Sequence, residues 1–447
     1  MEDYTTPVAV DTLSLFSSRP VQTVMESYQI LQIRPINENI STSSTIDFEF
    51  PLSENATYYE LGSTLLYLEF ETYKSDAATK VSGSGTGTAN YAAGTFINMP
   101  TSSFFSDVHL TIYDKPCESC GGLYPYQAMI HDMLMYSKSY RKEVLKLAGY
   151  FDEMCKEDDA ADTNPDSKNN PSFVKRNALK IANSESFVGR VNLGMFKQPL
   201  KIPTFAKIKL TFTKASLPFV VLNPDAADGA GPDVRFILRK MFLEICTVDV
   251  ACSVFQAHID GLKTNNFHYH FTHELVVSDT VPTGAYNKSW TQVFPTSQVP
   301  KLIVMTLVRS DAFTGSVKYN PFHFQTFDLS FISLKVNSKP MPYTEAFRPS
   351  KWTNNKYLRE YKTLEYIGGI EHGISPLNYV NGQFFMIWNL CPDLIIGGAA
   401  EANRAGPVSL ELQFSKPLAQ PINIIMYAQF DNCLEITRDK DIIRNWI

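Results

Sequence analysis

The sequence predicts an all-β protein built as two tandem eight-stranded jelly rolls (a double jelly roll) with short helices in the connections. Three observations carry that prediction. Residues 106–116 read SDVHLTIYDKP and residues 331–340 read FISLKVNSKP; aligned on Lys-Pro, Val108, Leu110 and Ile112 fall on Ile332, Leu334 and Val336. IKLTFTK (208–214) recurs as LELQFSK (410–416), aligned on Lys214 and Lys416. A helical pattern follows the Lys-Pro strand in both halves. Each repeated piece alternates apolar and polar residues, the period of a strand with one buried face.

The elements follow in order. Residues 1–40, punctuated by Pro7, Pro20 and Pro35, read as an extended arm that leans on other surfaces. The first jelly roll is expected over 41–252, with strands at 44–51, 61–73, 103–114, 186–196, 205–214 and 234–250. Residues 74–100 are a long polar loop containing SGSGTGTAN, and 157–171 a second, solvated loop. Between them a helix starts near Tyr124-Pro125-Tyr126, with Met129, Met133 and Tyr136 at i, i+4 and i+7. SYRKEVLKLAG forms another, closed by Gly149. Residues 253–266 read as a linker helix. The second jelly roll spans 267–436, with strands at 267–279, 300–310, 325–338, 381–391, 407–416 and 422–436. A helix near 354–366 presents Tyr357, Leu358, Tyr361 and Leu364. Residues 437–447 form a tail. Long, uneven connections fit jelly rolls better than an immunoglobulin-type sandwich.

Composition narrows the function. At 447 residues the chain exceeds one core and suits two domains. Apolar residues make up 44%, which is globular, and aromatics 13%, which suits pleated cores. A net charge of −6 with no Lys/Arg block argues against specific nucleic-acid binding. Seven scattered Cys read as buried, reduced thiols. The acidic, weakly apolar N-terminus is not a secretory signal, and no apolar run reaches membrane-spanning length. The sequons at Asn39, Asn55 and Asn287 are then chance matches.

Cys117 and Cys120 have metal-knuckle spacing, with His109 and His131 near in sequence, but no second knuckle exists. Two small residues at a strand end are the plainer reading. In FHYHFTHELVV, His268 and His270 share one strand face and His273 the other, so the three do not converge. SGSGTG (82–87) lacks the Gly-Lys-Ser/Thr ending of a phosphate loop. GxSxG and HExxH are absent. No catalytic, cofactor-binding or metal residue is assigned.

One stretch is recognisable. Residues 300–345 carry Asp311-Ala312-Phe313-Thr314-Gly315, then Asn320-Pro321-Phe322-His323-Phe324, then Lys339-Pro340. This order resembles the second jelly roll of major capsid proteins from Polinton/Maverick elements and adintoviruses. DTLSLFSSRPVQTVMES (11–27), SFFSDVHLTIYDKP with Tyr124-Pro125-Tyr126, and residues 410–436 are similar to the same family. Arg309-Ser310-Asp311 departs from the family's Asp-Asn before the turn. The resemblance implies a structural protomer, not an enzyme, that homotrimerises into pseudo-hexameric capsomers tiling an icosahedral shell. It implies a single jelly-roll protein at the vertices and a place in the virion. The arm 1–40 and the tail 437–447 are suited to bridge capsomers and to order only on assembly. A double jelly-roll carbohydrate-processing enzyme, a glycan binder and a domesticated capsid-derived protein stand as alternatives.

Overall fold

A computed structural model describes residues 22–81, 92–153, 162–180, 185–295, 298–352, 356–367, 371–392, 394–396 and 404–446. The first sandwich holds β1 (Met25–Ile33), β2 (Thr45–Glu49), β3 (Thr57–Lys74), β4 (Phe105–Ile112), β5 (Lys115–Ser119), β6 (Glu185–Arg190), β7 (Ile208–Lys214) and β8 (Val234–Val250). The second holds β9 (Phe267–Val281), β10 (Asn287–Trp290), β11 (Leu302–Arg309), β12 (Leu329–Val336), β13 (Lys339–Pro340), β14 (Met386–Asn389), β15 (Val408–Phe414) and β16 (Ile422–Ile436). In each set the strands pair in the order first-eighth-third-sixth in one sheet and second-seventh-fourth-fifth in the other. That is the jelly-roll winding, present twice.

The duplication reaches single residues. β4 and β12 pair with β7 and β15, and each ladder breaks at one bulge, at Ser106 and at Ser330. The Ser106 hydroxyl donates to the carbonyl of Thr213 at 3.3 Å, and that of Ser330 to Gln413 at 3.2 Å. Beyond the strands, Tyr113-Asp114 and Asn337-Ser338 all have positive φ. Both are two-residue hairpin turns of the twisted type that matches strand twist. They lead into the two Lys-Pro strands, β5 and β13.

The structure corrects the repeat alignment. Ile112 pairs with Ile208, and Val336 with Val408. Lys214 therefore corresponds to Phe414, not Lys416. The slip is two residues, one full side-chain period, so alternation cannot detect it.

Other expectations shift as well. Residues 25–33, expected within the arm, are β1 and pair with β8 along nearly their whole length. Most of β1 is exposed, so it lacks the alternation that marks a strand. Residues 1–21 lie outside the described residues. The expected tail contains β17 (Ile442–Trp446), which folds back on β16. Strands β5, β10 and β13 were not anticipated, being only two to five residues long. The helix expected near 354–366 is one α-helical turn, Leu358–Tyr361, continued by a 3-10 helix, Lys362–Ile367. The loop 82–87 falls outside the described residues. Among the described residues no helix is long and apolar enough to cross a membrane.

Helix α1 (Tyr124–Met135) fills the junction. Pro125 occupies its first turn, where a missing N–H costs nothing. Nearly every residue is buried, as expected for a helix packed on all sides. Tyr126, Met129, Ile130, Met133 and Leu134 belong to the core of the second sandwich. In return, Tyr269, Phe271, Leu434 and Ile436 of the second half belong to the first core. The two cores thus interlock. Helix α2 (Lys138–Glu143), capped by Ser137, and α3 (Pro171–Leu179), capped by Asn170, continue this insertion. Helix α4 (Cys252–Leu262) joins the two sandwiches.

Candidate functional site: the seam between the sandwiches

The polar residues of α1 meet β9 in a buried layer. Glu274 is shielded from solvent and accepts from Lys197 Nζ at both of its oxygens, at 2.8 and 2.9 Å. Gln127 Nε2 donates to it at 3.2 Å, and His131 Nε2 stands 3.8 Å away. Burial pushes the Glu274 carboxyl up, but the Lys197 ammonium and His131 outweigh it, so its pKa lies below the usual carboxylate range. Asp132 closes the layer, within 3.0 Å of His131 Nδ1 and accepting from Asn192.

Glu118 makes the second half of the layer. Its carboxylate accepts the backbone N–H groups of Gly194 at 2.8 Å and Met195 at 3.1 Å, and lies 3.7 Å from His273. Gly194 is required by space: a Cβ there would sit 2.1 Å from the Thr272 carbonyl oxygen. Buried carboxylates with complete partners fix one docking geometry, since any slip strands a charge.

An aromatic clasp lies at another point of the seam. Tyr126 stacks on Phe313, with ring centroids 5.5 Å apart and planes 21° apart, and meets Phe322 edge-on at 5.8 Å. Asn320 Nδ2 donates to Glu153 Oε2 at 2.8 Å, and its N–H to Asp166 Oδ1 at 2.6 Å. Glu153 is also bound by the buried Arg176 at 2.9 Å. His323 lies 2.6 Å from Asp166. Gly315 has φ 109° and lies against the Phe219 backbone, so only glycine fits the turn. The motifs 311–315 and 320–324 of the second half thus grip Tyr126 and the inserted helices of the first.

The residues singled out in the sequence are dispersed. Cys117 and Cys120 face the first core, and burial pushes the Cys120 thiol well up. His109 turns away to Asp107 at 3.0 Å, while His131 lies in the seam. His268 and His270 are exposed and His273 is buried. Among the described residues, no three His, Cys, Asp or Glu side chains converge as metal ligands would. Sequence reasoning missed Glu118, Glu274 and Lys197. One signal existed, because Glu274 interrupts the apolar run of β9, but nothing local names its partner.

Comparison with known proteins places this architecture. No family model matches the chain. The uncharacterized protein F54H12.2 of Caenorhabditis elegans is 24% identical over 335 residues, covering 72% of this chain and 74% of that protein. The fold of PBCV-1 VP54, as fitted into a reconstruction of the virophage Sputnik, matches with TM-score 0.59 at 11% identity over 97% of this chain and 99% of that one. The mavirus major capsid protein matches with TM-score 0.55 at 13% identity, over 100% and 95%. The chain is a double jelly roll. The Faustovirus major capsid protein shares this double jelly roll, with TM-score 0.53 at 12% identity over 94% and 92%. At such identities the likeness is one of fold, and its coverage takes in both sandwiches.

Proposed function

We propose that the chain is a major capsid protein of the Polinton/Maverick (adintovirus-like) kind, a structural protomer and not an enzyme. Three copies form a pseudo-hexameric capsomer, capsomers tile an icosahedral shell in the virion, and a single jelly-roll protein fills the vertices. One observation carries this reading: two sandwiches of identical winding are fixed side by side by a seam whose buried carboxylates, Glu118 and Glu274, are held by partners from both halves. Two like lobes per chain give a trimer six like lobes, so three identical chains can occupy a lattice site with six neighbours. Two of the motifs that resemble the capsid family, 311–315 and 320–324, build the clasp together with Tyr126, which supports the same reading. Its fold is also that of proteins described as major capsid proteins.

Negative-stain microscopy of the purified protein tests it. Hexagonal particles with threefold symmetry, or closed shells, are expected. Isolated two-lobed particles at all concentrations would refute the proposal and return attention to a glycan-binding role.

A further inference from the structure

A cavity of about 120 Å³ opens between α2, the 3-10 turn Leu145–Ala148 and the start of α3. Lys142, Lys146, Pro171 and Ser172 are in its wall. Lys175 and Asp152 are there too, and their charges offset each other. The end of α3 that forms the wall is its N-terminus, so the positive end of a nine-residue helix lies at the cavity. That end is held in place. The Asn170 side chain accepts the Ser172 N–H at 2.9 Å, and its amide donates to the carbonyls of Glu153, Asp162 and Asn164 at 2.9, 3.2 and 3.2 Å. Ser172 itself is only 1% exposed, and its hydroxyl has no hydrogen-bond partner among the described residues. Buried hydroxyls nearly always have one, so this orphan marks a missing acceptor or donor. Lys142 and Lys146, four residues apart, are exposed and have no carboxylate within ion-pair distance among the described residues.

We propose that this cavity binds one tetrahedral oxyanion, a phosphate or sulfate group. The Ser172 hydroxyl donates to one oxygen of the anion and so gains the partner it lacks. The Lys142 and Lys146 ammonium groups donate to others through charge-assisted hydrogen bonds. The N-terminus of α3 adds its dipole, which favours negative charge at that point. Water alone would partner the hydroxyl, but it would leave the helix end and both ammonium groups without a counter-charge. The size agrees. A water molecule takes about 30 Å³ in the liquid, so the cavity has the volume of about four, room for a central atom and its four oxygens. The ion can arrive free or as the terminal group of a phosphate ester, since the chemistry that holds it is the same. Binding there does not depend on the capsid reading.

The test is isothermal titration calorimetry of the full chain with sodium phosphate, at fixed ionic strength, with a second titration using glycerol 3-phosphate. One saturable site per chain is expected. Binding of both ligands would support a site open to esters, and binding of phosphate alone a site for the free ion. Lys142→Gln with Lys146→Gln, at two exposed positions, is expected to weaken binding at least tenfold. Ser172→Ala is expected to weaken it at least threefold. Without phosphate, Ser172→Ala should melt no lower than the parent chain, because the hydroxyl it removes has no partner to lose. With phosphate, the parent chain should gain more in Tm than either variant, as a ligand bound only by the folded state requires. No saturable heat with either ligand, or affinity unchanged in both variants, would overturn the proposal. A lower Tm for Ser172→Ala without phosphate would overturn it too, since the hydroxyl would then have a structural partner.

Discussion

Tyr126 of the first half stacks on Phe313 of the second, ring centroids 5.5 Å apart. Tyr126, in the first turn of the inserted helix, belongs to the core of the second sandwich, and Phe313, in the turn after β11, packs against that same core. Their contact joins two segments that each resemble the capsid family, and it turns two sandwiches into one body. Tyr126→Ala removes a buried aromatic and is expected to cost about 3 kcal/mol, read from urea unfolding. Phe313→Ala, at a partly covered ring, should cost less, and the double variant should cost less than the sum of the two. Additive losses would mean that the rings do not act together.

Gly194 sets how closely the two halves approach. Gly194→Ala places a Cβ against the Thr272 carbonyl and is expected to lower Tm by several degrees. Gly231→Ala, where a Cβ meets open space, is the control and should leave Tm unchanged within a degree or so. Equal melting of the two variants would remove Gly194 from the seam account.

The buried carboxylates give a pH signature with two signs. Glu274 has a lowered pKa in the fold, so its contribution is present above the unfolded value of about 4.3 and disappears as pH falls through the folded value. Glu274→Gln leaves Lys197 without its counter-charge, and at pH 7 it should cost about 3 kcal/mol, shrinking toward acid pH. A loss of the same size at pH 3 and pH 7 would contradict the assignment.

Glu185 has the opposite sign. Burial pushes its carboxyl up to about 8, with Lys180 and Lys80 pulling the other way. Between about 4.3 and 8 the unfolded chain gives up a proton that the folded chain keeps, so stability falls as pH rises. Glu185→Gln should therefore raise Tm at pH 8 and leave it unchanged at pH 4. A lower Tm at pH 8 would show that the carboxylate is ionised and paired.

The hairpin turns offer a gain of stability. Ser338 holds φ 63° with a side chain that disfavours it. Ser338→Gly creates the Asn-Gly pair favoured in such turns and should stabilise by about 0.5–1 kcal/mol. Denaturant midpoints check this, and a loss would mean that the Ser338 side chain has a role of its own.

The two sandwiches were legible because β4, β7, β12 and β15 each carry one dry and one wet face, as in Ile208, Leu210 and Phe212 against Lys209 and Thr211. The Lys-Pro landmarks were legible because tight turns need particular residues. The exact correspondence of β7 and β15 was not, since a two-residue slip preserves alternation. Strand β1 was hidden because its residues are exposed on both faces, and β13 because it is two residues long. The seam was hidden for a different reason. Glu118 and Glu274 look like ordinary surface charges until the fold buries them, Glu274 against the Lys197 ammonium and Glu118 against the Gly194 and Met195 N–H groups, and the separations along the chain carry no local pattern. Tyr126 and Phe313 were each noticed, within separate motifs, without any sign that they touch.

Light scattering on the size-exclusion peak tests the central claim most directly. With a chain mass of 50.4 kDa, a homotrimer of close to 150 kDa is predicted, stable on dilution. A monodisperse 50.4 kDa species at every concentration would contradict it.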